Sequence, residues 1–144
     1  MKIRCVATPE KITPKIREIL NDLDRETFPL DSLYWKERCY WWLVYDDNIP
    51  VAFAGLKPLE GKDKGCAFLC RAGVKKSHRG LGLQQKLIRI RIQAARRLGL
   101  VDLITCTSKD NYASATNIIR CGFRFYKPNQ PWSLPGAMYF YKKL

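Results

Sequence analysis

Acidic residues are scarce: across 144 residues, 13 Asp and Glu face 26 Lys and Arg, for a formal charge of +13. Such a field favours polyanions or highly charged cofactors through steering and counterion release, and it says nothing about fold. The cations run from Lys2 to Lys143 without a dense block, so a solvated surface is the default and nucleic-acid association stays open. Long apolar runs are also missing. No segment approaches the ~18 residues of a membrane span, and the N-terminal MKIRCVATPEK has no apolar core of signal-peptide length. The expectation is a cytoplasmic protein with no membrane association. Histidine occurs once, at His78, and the six cysteines (Cys5, Cys39, Cys66, Cys70, Cys106, Cys121) include no C-x-x-C pair. Neither a metal site nor a disulfide framework is expected, and most of the thiols read as small core residues in a reducing compartment.

What is present is 47% hydrophobic residues in a length that suits one domain, 1–144. Lys2–Ala7 alternates as a first strand. Thr13 followed by Pro14 predicts a capped helix with Ile16, Ile19, Leu20 and Leu23 as its buried stripe. The stretch DRETFPLDSLYWKERC contains Pro29 and predicts a short helix from near Asp31. Strands follow at Tyr40–Tyr45 and Val51–Leu56 around a turn, DDNIP, and then at Cys66–Val74. A helix capped by Gly99, a strand at Asp102–Thr107 and a helix from Asp110 or Asn111 to about Arg120 come next. Phe123–Tyr126 and Ala137–Lys143 read as the last strands. The order is α/β, with antiparallel strands first and a strand–helix–strand unit in the middle.

The stretch VKKSHRGLGLQQKL, 74–87, lies where an apolar strand gives way to a stripe of Leu83, Leu87, Ile90, Ala94 and Leu98 at helical spacing. Glycines at a helix N-terminus let the backbone approach a ligand, and the unpaired N–H groups there point outward with the positive end of the helix dipole. That is an anion site, most naturally for phosphate. No G-x-x-x-x-G-K-S/T is present, so a P-loop is excluded. Gly80-x-Gly82 is followed by Gln85 where a dinucleotide fingerprint needs its third glycine, so hydride transfer loses its main support.

Arg79, Gly80, Leu81, Gly82, Leu83 and Gln84 resemble instead the cofactor motif of the GCN5-related N-acetyltransferase family, in which Arg or Gln leads to a Gly-x-Gly or Gly-x-Ala turn. Gln84 stands where Gly or Ala is usual. Asn111, Ser114, Ile118, Arg120, Gly122 and Phe123 match a second motif of that family at its spacing. The resemblance implies a single-domain, mixed but mainly antiparallel sheet flanked by helices. It also implies acetyl-CoA as acyl donor, an amine acceptor (small molecule, peptide or protein) and no metal.

Site roles follow from the same resemblance. Backbone amides of the 79–84 turn hold the pyrophosphate, with Lys75, Lys76, Arg79 and Lys86 as counter-charges, and the edge at Gly73 and Val74 pairs with the pantetheine amides. Asn111 and Ser114 bond the same arm or, on the plainer reading, cap and surface the helix. The Val74 N–H is the oxyanion donor. Many members use a tyrosine as general acid, and the matching position here is Ile118, which leaves Tyr126 and Tyr112 as replacements. Glu26 and Asp31 are the base candidates, acting through water, with surface charge as the plainer reading of both.

His78 is expected in packing or phosphate contact. Arg71, inside an apolar strand, requires a carboxylate, a carbonyl or the acceptor as its partner. Trp132 is expected to cover the acceptor cleft, and Trp35, Trp41 and Trp42 to serve core and cleft wall. Two other classes stay open: a nucleic-acid-binding protein, with Lys86, Arg89 and Arg96 on one helical face, and a non-catalytic coenzyme A-binding regulator.

Overall fold

Thr13 Oγ1 accepts the Ile16 N–H at 3.2 Å and Pro14 takes the first helical position, so α1 (Pro14–Thr27) starts where its cap requires. A computed structural model describes residues 1–29 and 38–144. The short helix expected near Asp31 lies outside the described residues, as do Asp31 and Trp35. Around α1 the chain forms β1 (Lys2–Ala7), β2 (Tyr40–Asp46), β3 (Ile49–Pro58) and β4 (Cys66–Val74). After them come α2 (Leu83–Arg97), β5 (Asp102–Thr107), α3 (Tyr112–Arg120), β6 (Arg124–Tyr126) and β7 (Met138–Lys143). The strands make one sheet in the order β1-β2-β3-β4-β5-β7-β6. Among the described residues, only the β4–β5 pair is parallel. The expected α/β, mainly antiparallel architecture is the one observed.

The β2–β3 connection is tighter than the sequence implied. Asp47 and Asn48, with φ of 47° and 67°, make a two-residue turn whose twist suits a hairpin. Pro50 therefore belongs to β3, opposite Tyr45, and not to the turn. It is tolerated because β3 meets β4 only from Ala52 onward, so no β4 carbonyl waits for the missing N–H.

Successive side chains point to opposite faces of the sheet and build two cores. On one face α2 and α3 cover Trp42, Val44, Leu56, Leu103 and Phe140; on the other α1 covers Trp41, Leu43, Phe53 and Cys70. Trp41 and Trp42 are both core residues, 1% and 6% exposed. The buried face of α2 differs from the expected stripe. It is Leu83, Leu87, Ile88, Arg91, Ile92 and Ala95, while Leu98 is 44% exposed. An arginine inside that face hid its phase from an apolar-only reading.

The cysteines divide as well. Cys39 and Cys70 are buried, Cys5 is exposed, and Cys66, Cys106 and Cys121 are intermediate; all six are free thiols. The core reading holds for the first two, because the others sit on an edge strand, at the start or near the end of a strand, or beyond a helix end. Among the described residues, no helix is long and apolar enough to cross a membrane.

Candidate active site

The site begins with a fault in the β3–β4 ladder. Leu56 opposes Leu69 and Ala54 opposes Ala72, so Cys70 and Arg71 share the single opposing residue Gly55, which is a β-bulge. Bulges bend their strand, and β4 leaves β5 here. The parallel pairing covers only Cys66–Phe68 against Asp102–Ile104. One step further, Thr105 Oγ1 donates to the Leu69 carbonyl at 2.9 Å, a side-chain bond where a ladder bond would otherwise form. Beyond it the two strands enclose a wedge.

The bulge is held from both sides. From α2, the buried Arg91 guanidinium donates to Gly55 O at 2.9 Å and Cys70 O at 3.1 Å, and its Nε donates to Leu87 O. Burial lowers the Arg91 pKa to about 10, which leaves it charged at neutral pH. From α1, the buried Asp24 accepts from Arg71 Nε at 2.8 Å, and the Arg71 guanidinium lies 4.1 Å from the centre of the Phe28 ring. The carboxylate is thus the partner that Arg71 required. A side chain at Gly55 would place its Cβ 2.5 Å from Cys70 Sγ and 2.7 Å from Trp41, so this turn of backbone admits only glycine.

Register decides which amides face the wedge. The Lys75 N–H bonds Val51 O at 2.9 Å, which makes Ala52 and Val74 a non-hydrogen-bonded pair. Val74 and, two residues back, Ala72 therefore turn their N–H and C=O groups away from β3 and into the wedge. Gly73 turns its own toward Phe53. Its missing side chain serves α1, because a Cβ there would lie 2.4 Å from Thr27 Oγ1. Ala72 was not singled out in the sequence, and strand parity is the signal that finds it. Arg79 Nε donates to Val74 O at 3.1 Å and ties the glycine turn to the wedge.

At the turn, Gly80 and Gly82 have φ of 81° and 76°, and a Cβ on either would meet nothing within 4 Å. The open space lies over the N-terminus of α2, which has no side-chain cap and no acidic residue in its first turn. Leu81, 52% exposed, sits at the tip, whereas Leu83 is buried in the core. An anion-sized, positively polarised cradle results. His78 is held beside it, with Nε2 2.8 Å from Asp46 Oδ2 and Nδ1 2.7 Å from Ser77 Oγ.

The second motif meets the first through side chains. Gln84 Nε2 donates to Ser114 Oγ at 2.9 Å, Asn117 Nδ2 donates to Gln84 Oε1 at 2.9 Å, and Gln85 Nε2 donates to Asn117 Oδ1 at 3.0 Å. Gln84 thus bonds α3 with its side chain, where the usual small residue could not. Asn111 Oδ1 accepts the Ser114 N–H at 3.2 Å, as a helix cap does. Asn117 joins this network without having been flagged by the motif. Thr107, at the far end of β5, was also missed. Its Oγ1 is buried and has no hydrogen-bond partner among the described residues.

The remaining candidates are spread more widely. Glu26, at the end of α1, lies 3.6 Å from Lys75 Nζ, with 55% of its side chain exposed. Tyr112 is 70% exposed. Tyr126 stands on β6, separated from β5 by β7, about 10 Å at the usual strand spacing. Its hydroxyl accepts from Trp132 Nε1 at 3.1 Å, and burial raises its pKa against the smaller lowering effect of that bond. It faces an open depression of about 320 Å³ lined by Cys66, Asp102 and Tyr141, at the opposite ends of β4 and β5 from the wedge. Trp132 packs edge-on against Phe68 at 5.3 Å and against Tyr139 at 4.9 Å, forming an aromatic wall on the α1 face.

Comparison with known proteins bears on the fold and the family. A search of curated protein sequences finds no match. Solved structures share the whole fold at low identity. A Bacillus subtilis acetyltransferase solved in complex with CoA is 16% identical, covers 99% of this chain and 98% of its own, and has a TM-score of 0.75. PaiA N-acetyltransferase from Thermoplasma acidophilum, in complex with coenzyme A, is 15% identical with full coverage of both chains and a TM-score of 0.75. Ribosomal-protein-alanine N-acetyltransferase from Brucella melitensis is 20% identical, also over both full chains, with a TM-score of 0.72. The family model for the acetyltransferase (GNAT) family matches residues 12–123, and the chain belongs to that family.

Proposed function

We propose that this chain is an acetyl-CoA-dependent N-acetyltransferase that passes the acetyl group directly to an amine in a ternary complex. The observation that carries this reading is the wedge between β4 and β5, with the Val74 N–H turned into it beside an open glycine cradle. The cradle suits a pyrophosphate, with Lys75, Lys76 and Arg79 as nearby cations. Ala72 and Val74 suit the amides of an extended pantetheine arm, which would pair with β4 in place of the departed β5.

The chemistry needs little more. A neutral amine attacks the thioester carbonyl, forming C–N and breaking C–S, and the Val74 N–H stabilises the oxygen that gains charge. The coenzyme leaves as a thiolate, and the attacking nitrogen gives its proton to base. Glu26, near the C-terminal end of α1 and beside Lys75, takes it through water. A free thiol has a pKa of about 8.5, so the thiolate can depart unassisted, and Tyr126, two strands from the wedge, is not needed as its acid. The reading is tested by mixing protein, acetyl-CoA and amines of differing size and charge, following thiol release and acceptor mass together. Thiol release without acetylated product from any amine would favour hydrolysis or a binding-only role.

A further inference from the structure

The charge of this chain is divided unevenly between its two halves. Residues 1–63 carry 10 Lys and Arg with 11 Asp and Glu; residues 64–144 carry 16 with only Asp102 and Asp110. The fold turns that division into a surface, because the second half supplies α2, α3, β5, β6 and β7. None of α2, α3, β6 and β7 contains a carboxylate. The exposed positions of α2 include Lys86, Arg89, Gln93, Arg96 and Arg97, and Arg120 extends the field to the end of α3. None of these cations has an ion-pair partner among the described residues, and every described pair uses a carboxylate from residues 22–60.

Ordinary surface design does not account for this. Exposed helices rich in cations gain by interleaving carboxylates three or four residues away, and α2 has none. Helix-dipole complementarity explains Arg96, Arg97 and Arg120 in the last turns of α2 and α3. It fails for Lys86 in the first turn, where the dipole repels a cation, and for Arg89 in the middle. Lys142 gathers on the same side, its Nζ 2.6 Å from where a Gly122 side chain would begin.

An aromatic platform lies within this field. Phe125, on edge strand β6, is 64% exposed, with its ring meeting Phe140 edge-on at 5.9 Å. The β6–β7 register puts Lys142 one step along the same face as Phe125 and Phe140, whereas Arg124, opposite Tyr141, turns to the other face. Cations that follow a backbone, together with an exposed ring, are what single-stranded nucleic acid requires.

We propose that the α2–α3–β6 surface binds the phosphate backbone of single-stranded nucleic acid, with Arg89, Arg96 and Lys142 as phosphate contacts and Phe125 as a stacking platform. The surface is independent of the transferase reading and lies apart from the wedge. The test is fluorescence anisotropy of a labelled single strand of about 12 nucleotides, with saturating coenzyme A present so that the glycine cradle is blocked. Saturable binding is expected, with a log–log salt slope of about −2 for three phosphate contacts. Arg89→Gln with Lys142→Gln is expected to weaken binding by about tenfold and flatten the slope. Phe125→Ala is expected to weaken it at unchanged slope, and melting curves report whether each variant is folded. No binding at about 50 mM salt, binding insensitive to these substitutions, or equal binding of polyglutamate would overturn the proposal, the last by pointing to an acidic protein.

Discussion

Arg91, 2% exposed in the middle of α2, reaches the carbonyl of Gly55 at 2.9 Å through the floor of the sheet. The same nitrogen serves Cys70 O, so one helix side chain satisfies both carbonyls of the bulge that turns β4 away from β5. Replacing it with methionine keeps the stem and strands those carbonyls. The expected cost is about 2–4 kcal/mol in urea unfolding, as for other losses of a charged partner from buried groups. A weaker affinity for acetyl-CoA should accompany it, since the wedge depends on the bulge. Lost stability with unchanged affinity would separate Arg91 from the site.

Asp24 and Arg71 make the second brace, at 2.8 Å with side chains 5% and 18% exposed. Breaking one member of such a pair leaves a charge without its counterpart, so Asp24→Leu should destabilise by about 3–5 kcal/mol. Asp24→Leu with Arg71→Met should recover most of that loss. Chemical denaturation of the two single variants and the double variant closes the cycle.

Much of this was legible in the sequence, and what was not has identifiable reasons. β4 at Cys66–Val74, the Thr13 cap and the helix ended by Gly99 follow from local residue chemistry that tertiary contacts did not override. The bulge left no local mark, because it is a mismatch of one residue between two strands and neither strand shows it alone. Arg91 was hidden for a related reason: a charge on a buried helix face makes sense only when the carbonyls it meets, 21 and 36 residues away, are known. Gln84 departed from the motif visibly. That it bonds Ser114 and Asn117 depended on how α2 packs against α3.

Thr107 gives two effects of opposite sign. Its buried hydroxyl has no partner among the described residues, so Thr107→Val should leave stability unchanged or raise it by about 1 kcal/mol. If the hydroxyl waits for the coenzyme arm in the wedge, the same substitution weakens acetyl-CoA binding. Calorimetry paired with thermal unfolding checks both signs on one variant.

Tyr126 carries a pH signature that concerns folding. Burial raises its pKa above 10.0, so the folded chain keeps this proton after the unfolded chain has lost it. Its contribution to stability is whole below pH 10.0 and declines as the pH rises toward the raised value. Tyr126→Phe should flatten that decline. Placed two strands from the wedge, it should also leave turnover at neutral pH within about twofold, because a thiolate of this pKa needs no acid.

The most direct test is titration of the protein with acetyl-CoA, beside a Gly82→Trp variant shown to be folded by circular dichroism. A Cβ at Gly82 meets nothing within 4 Å, so the indole would project into the cradle and not into the protein. Saturable one-to-one binding that the substitution abolishes is the expected result. A folded wild-type chain that takes up no coenzyme, or a variant that binds it equally well, would contradict the assignment of wedge and cradle as an acyl-CoA site.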